Sequence, residues 1–172
     1  MEGRRGQRRH GSSGGAAHAL LVGPSALTRA VEVRLISGVS DPLGWALRAL
    51  RKAHAKGLSL WVTVDHAQSA RLLHHVCAAD PQGFLPLAAP DAPSHVRRRS
   101  RIQLHHTEAS IGSPPPGTHW LNLGSEIHPE LMAFAGVVDC VPADEAAAQR
   151  GRQRYRLYQK MGCEVIHSRE GA

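Results

Sequence analysis

A chain of 172 residues has room for one domain with a buried core, and no run in it approaches the ~18 apolar residues of a membrane span. Its three cysteines, Cys77, Cys140 and Cys163, lie far apart without a CxxC pair, which argues against a disulfide scaffold or zinc ribbon and fits a reducing cytoplasm. The formal net charge of +7 invites a nucleic-acid partner, yet residues 1–30 hold five arginines against Glu2 alone and supply +4 of it, so the remainder is only mildly basic.

Residues 1–30 are rich in Gly, Ser, Ala and Arg without useful periodicity, and such a segment buries too little apolar surface to offset its ordering entropy. They read as a disordered basic extension that a misassigned start codon would explain; residues 31–172 read as one α/β domain. Val31-Glu-Val-Arg-Leu-Ile36 alternates like a half-exposed strand. After a turn at Gly38–Pro42, the spacing of Leu43, Ala46, Leu47, Leu50 and His54 predicts a helix closed by Gly57. Leu58–Val64 is nearly apolar throughout, the mark of a strand covered on both faces. Asp65 is placed to cap a helix over residues 66–77 whose core face is Ala70, Leu73 and Cys77.

Residues 80–94 read as a loop carrying a lone aromatic, Phe84. Short strands follow at residues 101–105 and 119–123, with an irregular Pro-rich connection at 111–117 and a short helix at 129–134. The apolar strand from Gly136 to Val141 runs through Pro142 into a basic helix that stops at Gly162, and Cys163–His167 alternates as an edge strand. The sum is a single three-layer α/β domain, with a mostly parallel mixed sheet of five to seven strands flanked by helices.

Little in this pattern supports catalysis. The turn Ser37-Gly-Val-Ser-Asp-Pro42 has neither GxGxxG spacing nor a P-loop lysine, so no glycine-lined approach to a pyrophosphate exists. The adjacent pairs His74-His75 and His105-His106 diverge on a helix and a strand respectively, and no HExxH spacing occurs. Ser125 lacks a GxSxG elbow, and Asp139 within its strand reads as an acceptor for arginine or backbone donors. Neither an enzyme nor a cofactor is expected.

The basic helix is the strongest local signal. Arg152, Tyr155 and Arg156 share one helical face, where two planar cations beside a ring suit an acidic peptide that ends in an aromatic residue and a carboxylate. Arg150, Arg152, Arg154 and Arg156 follow one another without an acid after Glu145, so the row reads as an unpaired field awaiting an anion. Spacing does not choose between a peptide carboxylate and DNA phosphate.

The strand Val137-Val138-Asp139-x-Val141-Pro142 and the helix Arg152-x-Arg154-Tyr155-x-x-Tyr158 together resemble the chi subunit family of bacterial DNA polymerase III. The likeness covers about residues 31–167, with Arg71-Leu72, Phe84 with Pro86, and Gly57 as scattered identities. It implies a non-catalytic subunit of the DNA-directed DNA polymerase (nucleotidyltransferase) holoenzyme, cytoplasmic and without a membrane role. The subunit would pair with the psi subunit as a heterodimer of single copies and bind the acidic C-terminal tail of single-stranded-DNA-binding protein, reaching DNA indirectly. By the same resemblance, Arg152 matches the arginine that clamps the tail's carboxylate, with Tyr155 and Arg156 beside it. Cys77 stands where better-known chi sequences place a tryptophan flooring the tail pocket, and Ala148 replaces a lysine, which implies a shallower and less cationic site. Val141, Pro142 and Phe84 match the psi-facing surface. A stand-alone single-stranded nucleic-acid-binding module using the same arginine row is the alternative.

Overall fold

A computed structural model describes residues 30–81, 83–109 and 112–171, so the basic extension, apart from Ala30, lies outside the described residues. Strand β1 (Glu32–Val39) turns at Ser40 into α1 (Pro42–Ala55), which Asp41 caps by accepting the Gly44 N–H at 3.0 Å. Pro42 occupies the first turn, where a missing N–H costs nothing. Gly57, at φ +67°, adopts the left-handed conformation that stops α1 and releases the chain into β2 (Leu60–Val64). All five residues of β2 are buried, as expected for a strand covered on both faces.

Helix α2 (Ala67–Ala78) follows, but its N-terminus is not capped by Asp65. Asp65 instead accepts from the Ser125 N–H and hydroxyl, while Glu108 takes the Ala67 N–H. The 80–94 region holds a two-residue strand, β3 (Leu87–Ala88), and leads into a short helix, α3 (Ser94–Arg99), neither of which periodicity predicts. Then come β4 (Ile102–His106), β5 (His119–Asn122), a single 3-10 turn at Leu131–Ala133, β6 (Gly136–Pro142), α4 (Glu145–Lys160) and β7 (Glu164–Arg169).

The seven strands form one sheet in the order β3-β4-β2-β5-β6-β1-β7. Every pairing is parallel, where the sequence allowed a mixed sheet. Strand order and right-handed crossover then decide the layers. The connections through α1 and α2 step across the sheet in one direction, and the connection through α4 steps in the other, so α4 must cover the opposite face. The cores agree. Leu60, Val62 and Val64 point to α1 and α2, meeting Ala46, Leu50, Ala70, Leu73 and Cys77. Trp61 points the other way, joining Val33, Trp120, Phe134, Val137 and Tyr158 under α4. Among the described residues no helix is long and apolar enough to cross a membrane.

On the α4 face His105 stacks on Trp61, with ring centroids 3.7 Å apart, and receives a hydrogen bond at Nδ1 from Arg97. Burial, with Arg97, His128 and His106 adding to it, lowers His105 to about 3. The unfolded chain therefore takes up this proton near pH 6.5 while the folded chain refuses it. The contribution of neutral His105 is complete above pH 6.5 and is lost progressively as pH falls towards 3, at up to about 1.4 kcal/mol per pH unit. Urea midpoints between pH 7 and pH 5 should fall more steeply for the native chain than for His105→Phe, which keeps the ring stack; equal slopes would contradict this.

Candidate functional site

Helix α4 is shaped by two faces of one sequence. Ala147, Gly151, Arg154 and Tyr158 repeat at intervals of four, three and four residues and are its buried stripe. Asp144 caps the helix by accepting the Ala147 N–H at 2.8 Å. Gly151 permits its close approach to the sheet, since a Cβ there would stand 2.7 Å from Val141 Cγ1. Gly162, at φ +80°, ends the helix and turns the chain into β7.

Beneath the stripe lies a polar row. Thr63, Asn122 and Asp139 are register partners on β2, β5 and β6, and all three are buried. The Trp120 indole N–H donates to the Thr63 hydroxyl, which donates to the Asn122 amide oxygen at 3.1 Å. Arg154 donates to both carboxylate oxygens of Asp139 at 2.8 Å each, and the Tyr158 hydroxyl adds a third bond at 2.9 Å. The remaining Arg154 Nη1 donates to the Ser125 carbonyl. Burial pushes the Asp139 carboxyl above its ordinary value, against the opposing pull of Arg154, Tyr158 and Asn122. Asp139 is therefore the anchor of α4, as an acceptor for arginine.

This corrects the reading of an unpaired arginine row. Arg154 is buried and doubly bonded, and Arg152 donates to Glu145 at 2.7 Å. Arg150 and Arg156 make no ion pair with a described residue. The Arg152–Glu145 pair is exposed on both sides, 58% and 84%, so it contributes at most about 1 kcal/mol and yields readily to another carboxylate.

Between α4 and the strands β1, β6 and β7 runs a groove of about 460 Å³. Leu35 and Val141 contribute apolar surface from the sheet, and Ala148 and Gly151 from the helix. Arg152, Tyr155 and Arg156 line it from α4, with Ser37 and His167 opposite. The Tyr155 ring meets His167 edge-on at 6.4 Å, its hydroxyl accepts from Gln159, and His167 is 2.8 Å from the Ser37 hydroxyl. An apolar trough beside two guanidinium groups can bury one aromatic or aliphatic side chain while binding a carboxylate. Ala148 lines the trough without adding a charge.

Three expected residues thus converge: Arg152, Tyr155 and Arg156. Cys77 does not join them. It is buried among α1 and α2 on the far face of the sheet, its thiol pushed up to about 11 by burial, because the crossover that carries α2 puts it there. Nor do Val141, Pro142 and Phe84 form one surface. Val141 is 1% exposed under Gly151 and belongs to the trough, with Pro142 at its strand end. An acidic residue at position 141 would therefore place a charge among the buried apolar groups beneath α4. Phe84 is 83% exposed and precedes β3, which lies four strand spacings from β6, about 19 Å. Sequence spacing missed Leu35, Ser37 and His167, which reach the trough through strand pairing; the parallel register of β1 with β6 and β7 was the missing information. A larger groove, about 770 Å³ between α1 and the N-terminal ends of β1 and β6, contains Trp45, Lys52 and Lys56 but neither Arg152 nor Tyr155.

Comparison with protein families finds that the model described as DNA polymerase III chi subunit, HolC, matches residues 31–166. A search of curated proteins finds none that matches this chain.

Proposed function

This chain belongs to the DNA polymerase III chi subunit family, and from that premise we propose that it tethers the clamp loader to single-stranded-DNA-binding protein by holding that protein's acidic C-terminal tail in the α4 groove. As a member it is an accessory subunit of DNA replication. The observation that carries the proposal is the meeting of Arg152, Tyr155 and Arg156 around an apolar trough. Arg152 receives the terminal carboxylate, displacing Glu145 from its exposed pair. The last apolar side chain of the tail settles in the trough, with Tyr155 as its wall. Acidic residues before it approach in the field of Arg150 and Arg156, which raises the association rate and makes binding salt-sensitive.

The psi subunit would dock elsewhere, on the surface around Phe84. Phe84 offers an exposed aromatic side chain as an anchor, and its distance from the trough leaves both partners room to bind together. Tethering then works through number: many tails on one DNA-coated assembly raise the effective concentration of a modest site. Paired variants test the division. Tyr155→Ala is expected to weaken an acidic tail peptide by about ten-fold in fluorescence anisotropy and to spare psi in a pull-down; Phe84→Ala should do the reverse. Loss of both partners in either variant would contradict two separate surfaces.

A further inference from the structure

We propose that Arg98, Arg99 and Arg101, continued by Lys56, form a second anion-binding surface that takes the backbone of a single-stranded nucleic acid. The run Ser94-His-Val-Arg-Arg-Arg-Ser-Arg101 carries four arginines in eight residues, and Asp91 is the one acid between Asp80 and Glu108. Such density on a solvated face needs a use. In the fold, two of its residues turn inward and fix the rest. Arg97 donates to the Pro90 carbonyl and to His105, and the Ser100 hydroxyl donates to the carbonyls of Pro86 and Ile102. With α3 pinned on both, Arg98 and Arg99 point to solvent, exposed and without an ion pair to any described residue.

Arg101 continues the surface. It donates to the Gly57 carbonyl at 3.3 Å, a neutral partner that leaves its charge uncompensated, and exposed Lys56 stands next to Gly57. Glu108, the next acid along the chain, is occupied by the Ala67 N–H and His66. The result is a cationic strip along the β3–β4 edge of the sheet. It is distinct from the α4 groove: β4 lies three strand spacings from β6, about 15 Å.

Shape favours a phosphate backbone over a peptide. Arg98, Arg99 and Arg101 line neither of the two large grooves, and Lys56, at the end of the strip, reaches the larger one, so the guanidinium groups offer charge without a pocket for an anchoring side chain. Exposed guanidinium groups on a segment held by Arg97 and Ser100 suit a chain of phosphates contacted without regard to sequence. The choice of nucleic acid also rests on the proposed tail contact, because a protein held by the tail of a strand-coating partner meets that strand at high local concentration.

The test is fluorescence anisotropy of labelled oligo-dT with the full chain and with Arg98→Ala/Arg99→Ala, as a function of salt, beside the acidic tail peptide. Removing two cations predicts that the slope of log K against log salt becomes shallower by about 1.5. Affinity at low salt should drop about ten-fold or more, and tail-peptide binding should not change. No oligo-dT binding by the native chain, or binding that the double variant leaves intact, would overturn the proposal. So would saturable binding of a polyglutamate peptide that needs Arg98 and Arg99 where oligo-dT does not bind, which would assign the strip to an acidic protein. Failure of the tail peptide alone would count against the proposed function, since the oligo-dT signal is read without it.

Discussion

Replacing Asp139 with alanine is expected to remove about 3–5 kcal/mol of folding stability, the largest effect of any single change considered. Asp139 is fully buried and accepts three short hydrogen bonds from Arg154 and Tyr158, with Asn122 at 3.5 Å. Without it, Arg154 stays behind as an uncompensated cation at 5% exposure. The energy comes mainly from that stranded charge, so the pair itself need not be strongly stabilising. For a domain whose total stability is ordinarily ~5–15 kcal/mol, the variant sits close to its unfolding threshold. Asp139→Ala/Arg154→Met should recover much of the loss, because both charges are then gone and an apolar side chain of similar length fills the space. Urea denaturation of the native chain, both single variants and the double variant gives the coupling directly. A loss below about 1 kcal/mol in Asp139→Ala would show that water reaches Arg154 and that the anchor is not buried as described.

The second large effect is expected at Arg152. Arg152→Ala should weaken an acidic tail peptide by about 10- to 30-fold, corresponding to the ~1.5–2 kcal/mol of a charge-assisted hydrogen bond at a partly solvated site. Its folding midpoint should move little, since the one bond it loses is the exposed pair with Glu145. That contrast separates Arg152 from Arg154, two residues away on the same helix. Arg154 is structural, and its loss strands the buried Asp139 carboxylate and lowers stability; Arg152 is free to exchange one carboxylate for another. Equal damage to binding and stability at Arg152 would mean that the Glu145 pair holds α4 in place.

Much of this was legible in the residues, and the gaps have physical causes. Short-range periodicity reveals elements long enough to repeat it, so β1, α1, β2, α2, β6 and α4 were expected close to where they lie. It reveals nothing about a two-residue strand or a six-residue helix, and β3 and α3 were hidden for that reason. Arg154 was read with its neighbours as a solvated cation, although its place in the stripe Ala147, Gly151, Arg154 and Tyr158 marked it as inward-facing. A buried arginine needs a buried acid, and Asp139 in an apolar strand was its visible counterpart. Cys77 lies on the core face that its spacing with Ala70 and Leu73 marks, and its match to the tail pocket comes from the resemblance alone. Which face of a sheet a crossover helix covers depends on strand order, and no local pattern carries strand order. The same applies to Val141 and Phe84, matched to one partner surface by resemblance and separated by most of the sheet in the fold.

The measurement that bears most directly on the tether is a titration of the native chain against two versions of one fluorescent acidic peptide, identical except that one ends in a free carboxylate and the other in an amide. The α4 groove predicts saturable binding of the free-carboxylate peptide, weakened by salt, and a loss of about ten-fold or more on amidation, because Arg152 then has no terminal charge to receive. Equal affinity for both peptides, or no saturable binding of either, would contradict it.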